Sequence, residues 1–397
     1  MLAPTLGSAQ SPSTPRDSAR GPAPAAQAAP RQWYDRLSIR GYAQFRYNRL
    51  LETNKDLNCS QCDRSIGANG GFFMRRGRLI ISGDVSNRVS VYIQPDYASD
   101  AAGLAHYLQL RDAYFDVHLD AKKEHRLRLG QSKVPFGFEN LQSSSNRLPL
   151  DRNDALNSAV PNERDIGVFY YWATTAARRA FRTLTDSGLK GTGDYGVFGF
   201  GFMNGQTANR PEANNSAHTV ARLSYPFRLP NGQFVELGVS GYKGRFVLPT
   251  RTTGVRAAPE YNDERMALSF MWYAQPLGLE AEWNWGEGPE YVLSSRSTES
   301  RHLHGGFVQA MYRWRTHGQV VQPFARAQYY TGGKKAEQDA RHYEVHEYEA
   351  GLEWLPTSAF ELTAMYTRSD RVIADGLLTA PNHQRGGFLR LQAQVNY

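Results

Sequence analysis

The chain has 397 residues, 41% of them hydrophobic, with a mean hydropathy of −0.57. It has no run of about 18 apolar residues, so membrane-crossing helices are excluded, whereas a membrane β-barrel is not, because only alternate residues of its strands meet lipid. The formal charge of +8 raises nucleic acid as a partner, but the basic residues are spread along the chain without a Lys/Arg-rich block, and no nucleic-acid partner is assigned.

Residues 1 to 34 read as a remnant of an export signal and a disordered Pro/Ala-rich linker, Gly7-Ser-Ala9 resembling the small-residue end of such a signal. Residues 35–397 read as one barrel. The first strand, about 37–47, sets Leu37, Ile39, Ala43, Phe45 and Tyr47 against Ser38, Arg40, Tyr42, Gln44 and Arg46, about the length a tilted strand needs to cross a bilayer. A long polar link, 51–71, follows. It holds Cys59 and Cys62, which suit a local disulfide in an oxidising compartment better than free thiols or a four-thiolate zinc site.

Further strands are predicted near 76–85, 89–94, 107–119, 125–136, 165–173, 194–203, 217–225, 233–243, 264–273, 278–285, 306–314, 320–330, 346–355, 359–367 and 388–397. With the first they make sixteen, an even number, as a closed antiparallel transmembrane barrel in a bacterial outer membrane requires. Phase changes near Leu108–Arg111 and Gly130–Pro135 predict bulges. The last strand runs Leu389, Leu391, Ala393, Val395, Tyr397 on one face and Arg390, Gln392, Gln394, Asn396 on the other, ending on an aromatic residue. Links after odd strands are mostly long (51–71, 138–164, 246–263, 286–304, 368–386), and those after even strands mostly short, the asymmetry of external loops and periplasmic turns. The link at about 174–193 is too long for this rule. The aromatic content, 12%, fits interfacial girdles but also a carbohydrate-binding β-protein.

Six stretches carry a family resemblance. Gly130-Gln-Ser-Lys-Val-Pro-Phe-Gly137 with Arg164-Asp-Ile-Gly-Val168, Arg75-Arg-Gly-Arg78 with Val91-Tyr-Ile-Gln-Pro-Asp96, Leu110-Arg-Asp-Ala-Tyr114, and Phe202-Met-Asn-Gly205 resemble the phosphate-selective porin O and P family. The resemblance implies a trimeric channel in the outer membrane whose third long loop, about 138–164, folds inward, with arginines and lysines guiding anions such as phosphate. It needs no metal or other cofactor and no catalytic residues. The polar-face arginines Arg40, Arg46, Arg76, Arg78, Arg126, Arg128 and Arg390 are the candidates to line the pore. Glu139, Arg147, Asp151, Arg152, Asp154, Glu163 and Arg164 are the candidates for the constriction. The alternative for each is a local pair, an arginine with Asp84 or Asp112, for example, or a loop residue with the wall.

Two departures temper phosphate specificity. Lys55 and Lys133 are the nearest lysines to the mouth, and Glu280, Glu282, Glu349, Glu353 and Glu361 predict an acidic wall opposite the basic arc, as in a general diffusion porin. His342-Tyr-Glu-Val-His346 and His302-Leu-His304 are read as loop residues, not a metal site, and Gly191-Thr-Gly-Asp-Tyr-Gly196 leads into a strand, not a nucleotide-binding helix. The expected function is passive diffusion of small hydrophilic solutes biased to anions, within outer-membrane lipid. An unselective or sugar-conducting porin, a barrel-type hydrolase and a soluble carbohydrate-binding protein are the alternatives.

Overall fold

Neighbouring side chains of an extended chain point to opposite faces, and here the two faces lie in different media. The computed structural model describes residues 32–51, 70–98 and 107–397. Cys59, Cys62 and most of the expected N-terminal linker fall outside that range. After a 3-10 turn at Trp33–Arg36, the wall starts with β1 (Leu37–Leu50), β2 (Gly70–Asp84), β3 (Val89–Ala98), β4 (Tyr107–His118) and β5 (His125–Lys133). Next come β6 (Arg164–Trp172), β7 (Phe198–Met203), β8 (His218–Arg228), β9 (Phe234–Phe246) and β10 (Tyr261–Trp272). The rest are β11 (Leu277–Val292), β12 (Ser297–Tyr312, resumed as Trp314–Thr316 beyond Arg313), β13 (Gln319–Gly333), β14 (His342–Thr357), β15 (Phe360–Ala374) and β16 (Asn382–Asn396).

Each strand pairs antiparallel with the next, and β16 returns to β1 with Tyr42 opposite Asn396 and Arg49 opposite Leu389. The result is a closed barrel of sixteen spanning strands with no open edge. At the seam the Gly41 N–H donates to the Tyr397 carbonyl (2.7 Å) and the Tyr397 N–H to that of Gly41 (3.0 Å). A Cβ on Gly41 would lie 2.2 Å from the Arg78 carbonyl oxygen and 2.6 Å from the Tyr397 ring, so the join requires glycine there.

The outer face carries large apolar side chains such as Ile39, Phe72, Leu108, Leu268 and Val308, all exposed, whereas inward positions of the wall hold buried Gln44, Arg46, Arg78, Glu282 and Gln392. A surface this apolar is what lipid contact demands. All sixteen predicted strands are present, most of them longer at the loop end. The predicted link 286–304 is thereby corrected: β11 and β12 run on to Val292 and Ser297 and leave only four residues between them. His302, His304 and His346 therefore sit on strand outer faces, not in loops.

The link 173–197 is resolved as a helix, α2 (Thr175–Asp186), followed by a segment that turns into the barrel. Thr174 caps α2 by accepting from the Ala177 N–H (3.2 Å), and Ala177, Phe181 and Leu184 form its buried face. Leu184 and Leu189 join Phe138, Leu148, Phe234, Tyr273 and Phe324 in an apolar cluster inside the barrel. The interior is thus packed from two sides, by the loop 134–163 after β5 and by this periplasmic link.

Candidate permeation site

The inward path of the loop is set at its first residues. Lys133 donates from Nζ to the carbonyls of Asn140 (2.9 Å), Leu141 (3.3 Å) and Gln142, which folds the chain back over the end of β5. The N–H groups of Phe138 and Glu139 then donate to the Glu282 carboxylate on β11, and that of Gly137 to Ser240 Oγ on β9 (2.9 Å). The loop has crossed the lumen. Its short helix α1 (Asp154–Ala159) is capped by Asn153, whose Oδ1 accepts from the Leu156 N–H (2.9 Å).

Four of the predicted loop carboxylates divide into two jobs. Glu139 accepts from Arg326 (2.8 Å) and from the Asn153 amide (2.7 Å), and Asp154 pairs with Lys334 and with Arg371 (3.1 Å); these two fasten the loop to the wall. Asp151 and Glu163 instead gather arginines at the outer mouth. Asp151 meets Arg46 (3.1 Å), Arg390 (2.8 Å) and Arg75 (3.5 Å). Glu163 meets Arg111 (3.2 Å), Arg152 (3.4 Å), Arg147 (3.8 Å) and Arg164, the last also held by Asp112 (2.8 Å). Burial opposes ionisation of both carboxyls, but the guanidiniums outweigh it and hold both below the ordinary range.

With Arg76 and Arg78, nine arginines converge here around four carboxylates, Asp96, Asp112, Asp151 and Glu163, while Arg390 also reaches Glu349. Six of them, Arg75, Arg76, Arg78, Arg111, Arg147 and Arg152, line an open cavity of about 400 Å³, to which Arg210 from the β7–β8 loop is added. Arg76 stands out: its one hydrogen-bond partner among the described residues is the neutral Gln44 amide (2.9 Å). Arg147 has two buried nitrogens, Nε and Nη1, without a hydrogen-bond partner among the described residues.

Two of these arginines escape a strict alternation reading because they sit at bulges. Gln44 faces Arg76 while Phe45 faces Met74, so Arg75 is an extra residue of β2, and Arg111 is likewise extra between Leu110 and Asp112. Each bulge lets two consecutive side chains face inward. The signal in the sequence is the doublet itself, Arg75-Arg76 and Arg111-Asp112. The second bulge lies where the phase change near Leu108–Arg111 places one; at Gly130–Lys133 the pairing is uninterrupted.

The other candidate positions are distributed differently. Arg40 is exposed at the periplasmic rim, opposite Ile80. Arg126 and Arg128 form a separate lower cluster: Arg128 forks onto both oxygens of Asp116 (2.8 and 2.9 Å), and Arg126 pairs with Asp194 (3.1 Å). The acidic side chains expected to form a wall are engaged only in part: Glu349 lies between Arg326 and Arg390, Glu353 pairs with Lys190, and Glu282 holds loop backbone, while one oxygen each of Glu280, Glu282 and Glu353 is buried without a hydrogen-bond partner among the described residues. Lysines also reach the interior unannounced: Lys334 and Lys335, just after Gly332-Gly333, turn inward onto Asp154 and Asp263.

A closed sixteen-stranded barrel with a lipid-facing belt, a polar interior and an inward loop lined by arginines defines an outer-membrane channel of the porin class. The chain matches the phosphate-selective porin O and P family over residues 51–397, and it belongs to that family. No curated protein sequence matches it. Among solved structures it is similar to the outer-membrane channel DcaP of Acinetobacter baumannii (13% identity, 91% of this chain and 97% of that one, TM-score 0.55). It is also similar to OmpT of Vibrio cholerae in its trimer form (10%, 91% and 100%, 0.55) and to an anion-selective porin from Comamonas acidovorans (8%, 91% and 99%, 0.52). At these identities the likeness is one of fold. Family and fold are those of a channel rather than of an enzyme.

Proposed function

We propose that the outer mouth is an anion filter and that the protein, as a trimer, passes small anions by diffusion, with phosphate the leading candidate. The observation that carries this reading is Arg76, a buried guanidinium whose one hydrogen-bond partner among the described residues is neutral, beside Arg147, two of whose nitrogens have no partner among those residues. Guanidinium stays charged and can fork onto two oxygens of a phosphate. Several such groups in a narrow space focus the field, and sharing them among sites of moderate strength lets an ion leave as well as enter. The family name and the anion-selective neighbour from Comamonas support the anion, and the trimer form of Vibrio OmpT supports the assembly.

The test is planar-bilayer recording on the purified protein in a chloride gradient, with phosphate then titrated in. A reversal potential on the anion side and phosphate block of chloride current are expected. A reversal potential at zero with no block would replace this reading by an unselective or sugar-conducting pore.

A further inference from the structure

The periplasmic end carries a second basic cavity, far from the mouth and unused by the reading above. It has a volume of about 970 Å³ and lies between α2, the ends of β8 and β9, the turn 273–276 and the break in β12 at Arg313. Four arginines line it, Arg179, Arg228, Arg313 and Arg315, and no Asp or Glu does. None of the four has a carboxylate partner among the described residues. Arg313 and Arg315 spend single nitrogens on the carbonyls of Gly188 (2.6 Å) and Ser187 (3.4 Å), and Arg313 Nε is buried without a partner. The helix presents Ala176, Ala180 and Thr183 to the cavity, small groups that leave it wide, while its Arg178 turns away to Asp194 (2.8 Å).

The remaining wall is aromatic and reaches the lipid side. Tyr225 and Phe227, exposed on the outer face of β8 with ring centroids 4.8 Å apart, line the cavity together with Phe234, over which Arg228 lies at 5.8 Å. Tyr312 and Trp314 are exposed on the same rim. Short turns put this rim at the periplasmic interface, where such aromatics sit at headgroup level. A bare phosphate would leave most of this volume, and its aromatic wall, to water.

We propose that this cavity binds an anionic glycerophospholipid of the periplasm-facing leaflet, Arg228, Arg313, Arg315 and Arg179 taking the phosphodiester while Tyr225 and Phe227 bed the glycerol and first acyl carbons. Clustered basic side chains at a membrane surface are the chemistry that recognises such headgroups. The inference does not depend on what the pore conducts.

The test is native mass spectrometry of the detergent-purified protein titrated with short-chain phosphatidylglycerol, with phosphatidylcholine of the same chain length and inorganic phosphate as separate arms. The expected result is a preference of about tenfold for phosphatidylglycerol, lost in Arg228→Ala/Arg315→Ala, with phosphate a poor competitor. Chloride conductance and heat-dependent gel migration of the variant should match the parent. Should the double variant not fold, Arg179→Ala on the exposed helix face is expected to weaken the same binding. Equal binding of the two lipids, binding unchanged in a folded variant, or displacement by phosphate at the lipid's own concentration would each overturn the proposal, the last in favour of a soluble-anion exit site.

Discussion

Asp151 Oδ2, from the loop, lies 2.8 Å from Nη1 of Arg390 on the strand that closes the barrel. The same oxygen accepts from Arg46 on the first strand (3.1 Å), so one carboxylate spans the seam and pins the loop against it. It also cancels charge that a permeating anion could use. Asp151→Asn keeps the shape and removes the charge. Phosphate block is expected to tighten several-fold and anion preference to rise, while the loop loses up to about 3 kcal/mol of anchoring because a buried pair is broken. Reversal potentials and the temperature of gel-migration change measure the two effects, and an unmoved reversal potential would show that Asp151 does not compete with the permeant ion.

Arg76 and Arg78 lie two residues apart and should behave differently. Arg78 is paired with Asp96 (3.1 Å) and donates to Tyr42 (2.7 Å) and Ser144 (2.9 Å), whereas among the described residues Arg76 donates only to an amide. Arg76→Ala is expected to lower anion preference and phosphate block with little loss of stability. Arg78→Ala is expected to destabilise the loop first, since among the described residues Asp96 then keeps only Arg111 at 3.9 Å. Paired bilayer and thermal measurements separate them; equal effects of the two on both readouts would refute the division.

The periplasmic link is held inside by the Lys190–Glu353 pair (2.5 Å) and meets the loop where Gln142 donates to the Lys190 carbonyl (2.7 Å) and Asn146 to that of Gly191 (2.9 Å). Lys190→Ala leaves Glu353 buried without its counter-charge and should free the link. Single-channel conductance is expected to rise, with more open-channel noise. A trace indistinguishable from the parent would mean that the link does not narrow the path.

Asp151 and Glu163 fix the sign of the response to acid. Burial is outweighed by the arginines, so both carboxyls titrate lower in the folded protein than in the unfolded chain. Their stabilising contribution is complete above the ordinary carboxylate range, roughly pH 4, and is lost as pH falls below it. The part of conductance and selectivity that these two carboxylates set is expected to stay level from about pH 8 to about pH 5 and to change only under stronger acid. A transition near neutrality in bilayer recordings would assign control to other groups.

Gly41→Val should stop the ring from closing, since a Cβ there meets both the Arg78 carbonyl and the Tyr397 ring. The fraction of heat-modifiable, folded protein after refolding is expected to fall sharply. Normal refolding would show that the seam can shift to make room.

Much of the wall was legible because its code is local. A residue's side in a strand depends only on parity, so Ile39, Phe45 and Leu391 could be set against Arg46 and Arg390 with no knowledge of their neighbours. Parity failed where a bulge adds a residue, and Arg75 and Arg111 were missed for that reason. It also could not show the inward turn of Lys334 and Lys335, since loops follow no period. The link at 173–197 carried a readable sign, a capping Thr174 before Ala177, Phe181 and Leu184 at helical spacing, but length alone did not reveal it.

The sequence by itself determined a sixteen-stranded barrel, which strand faces meet lipid, and the family to which the chain belongs, because each follows from alternation or from contiguous motifs. Only the tertiary structure decided which arginines remain available to a passing anion. Asp151 stands over a hundred residues from Arg46 in the chain, Glu349 shares Arg390 with it, and charge is neutralised by distance in space, a quantity that no local pattern encodes.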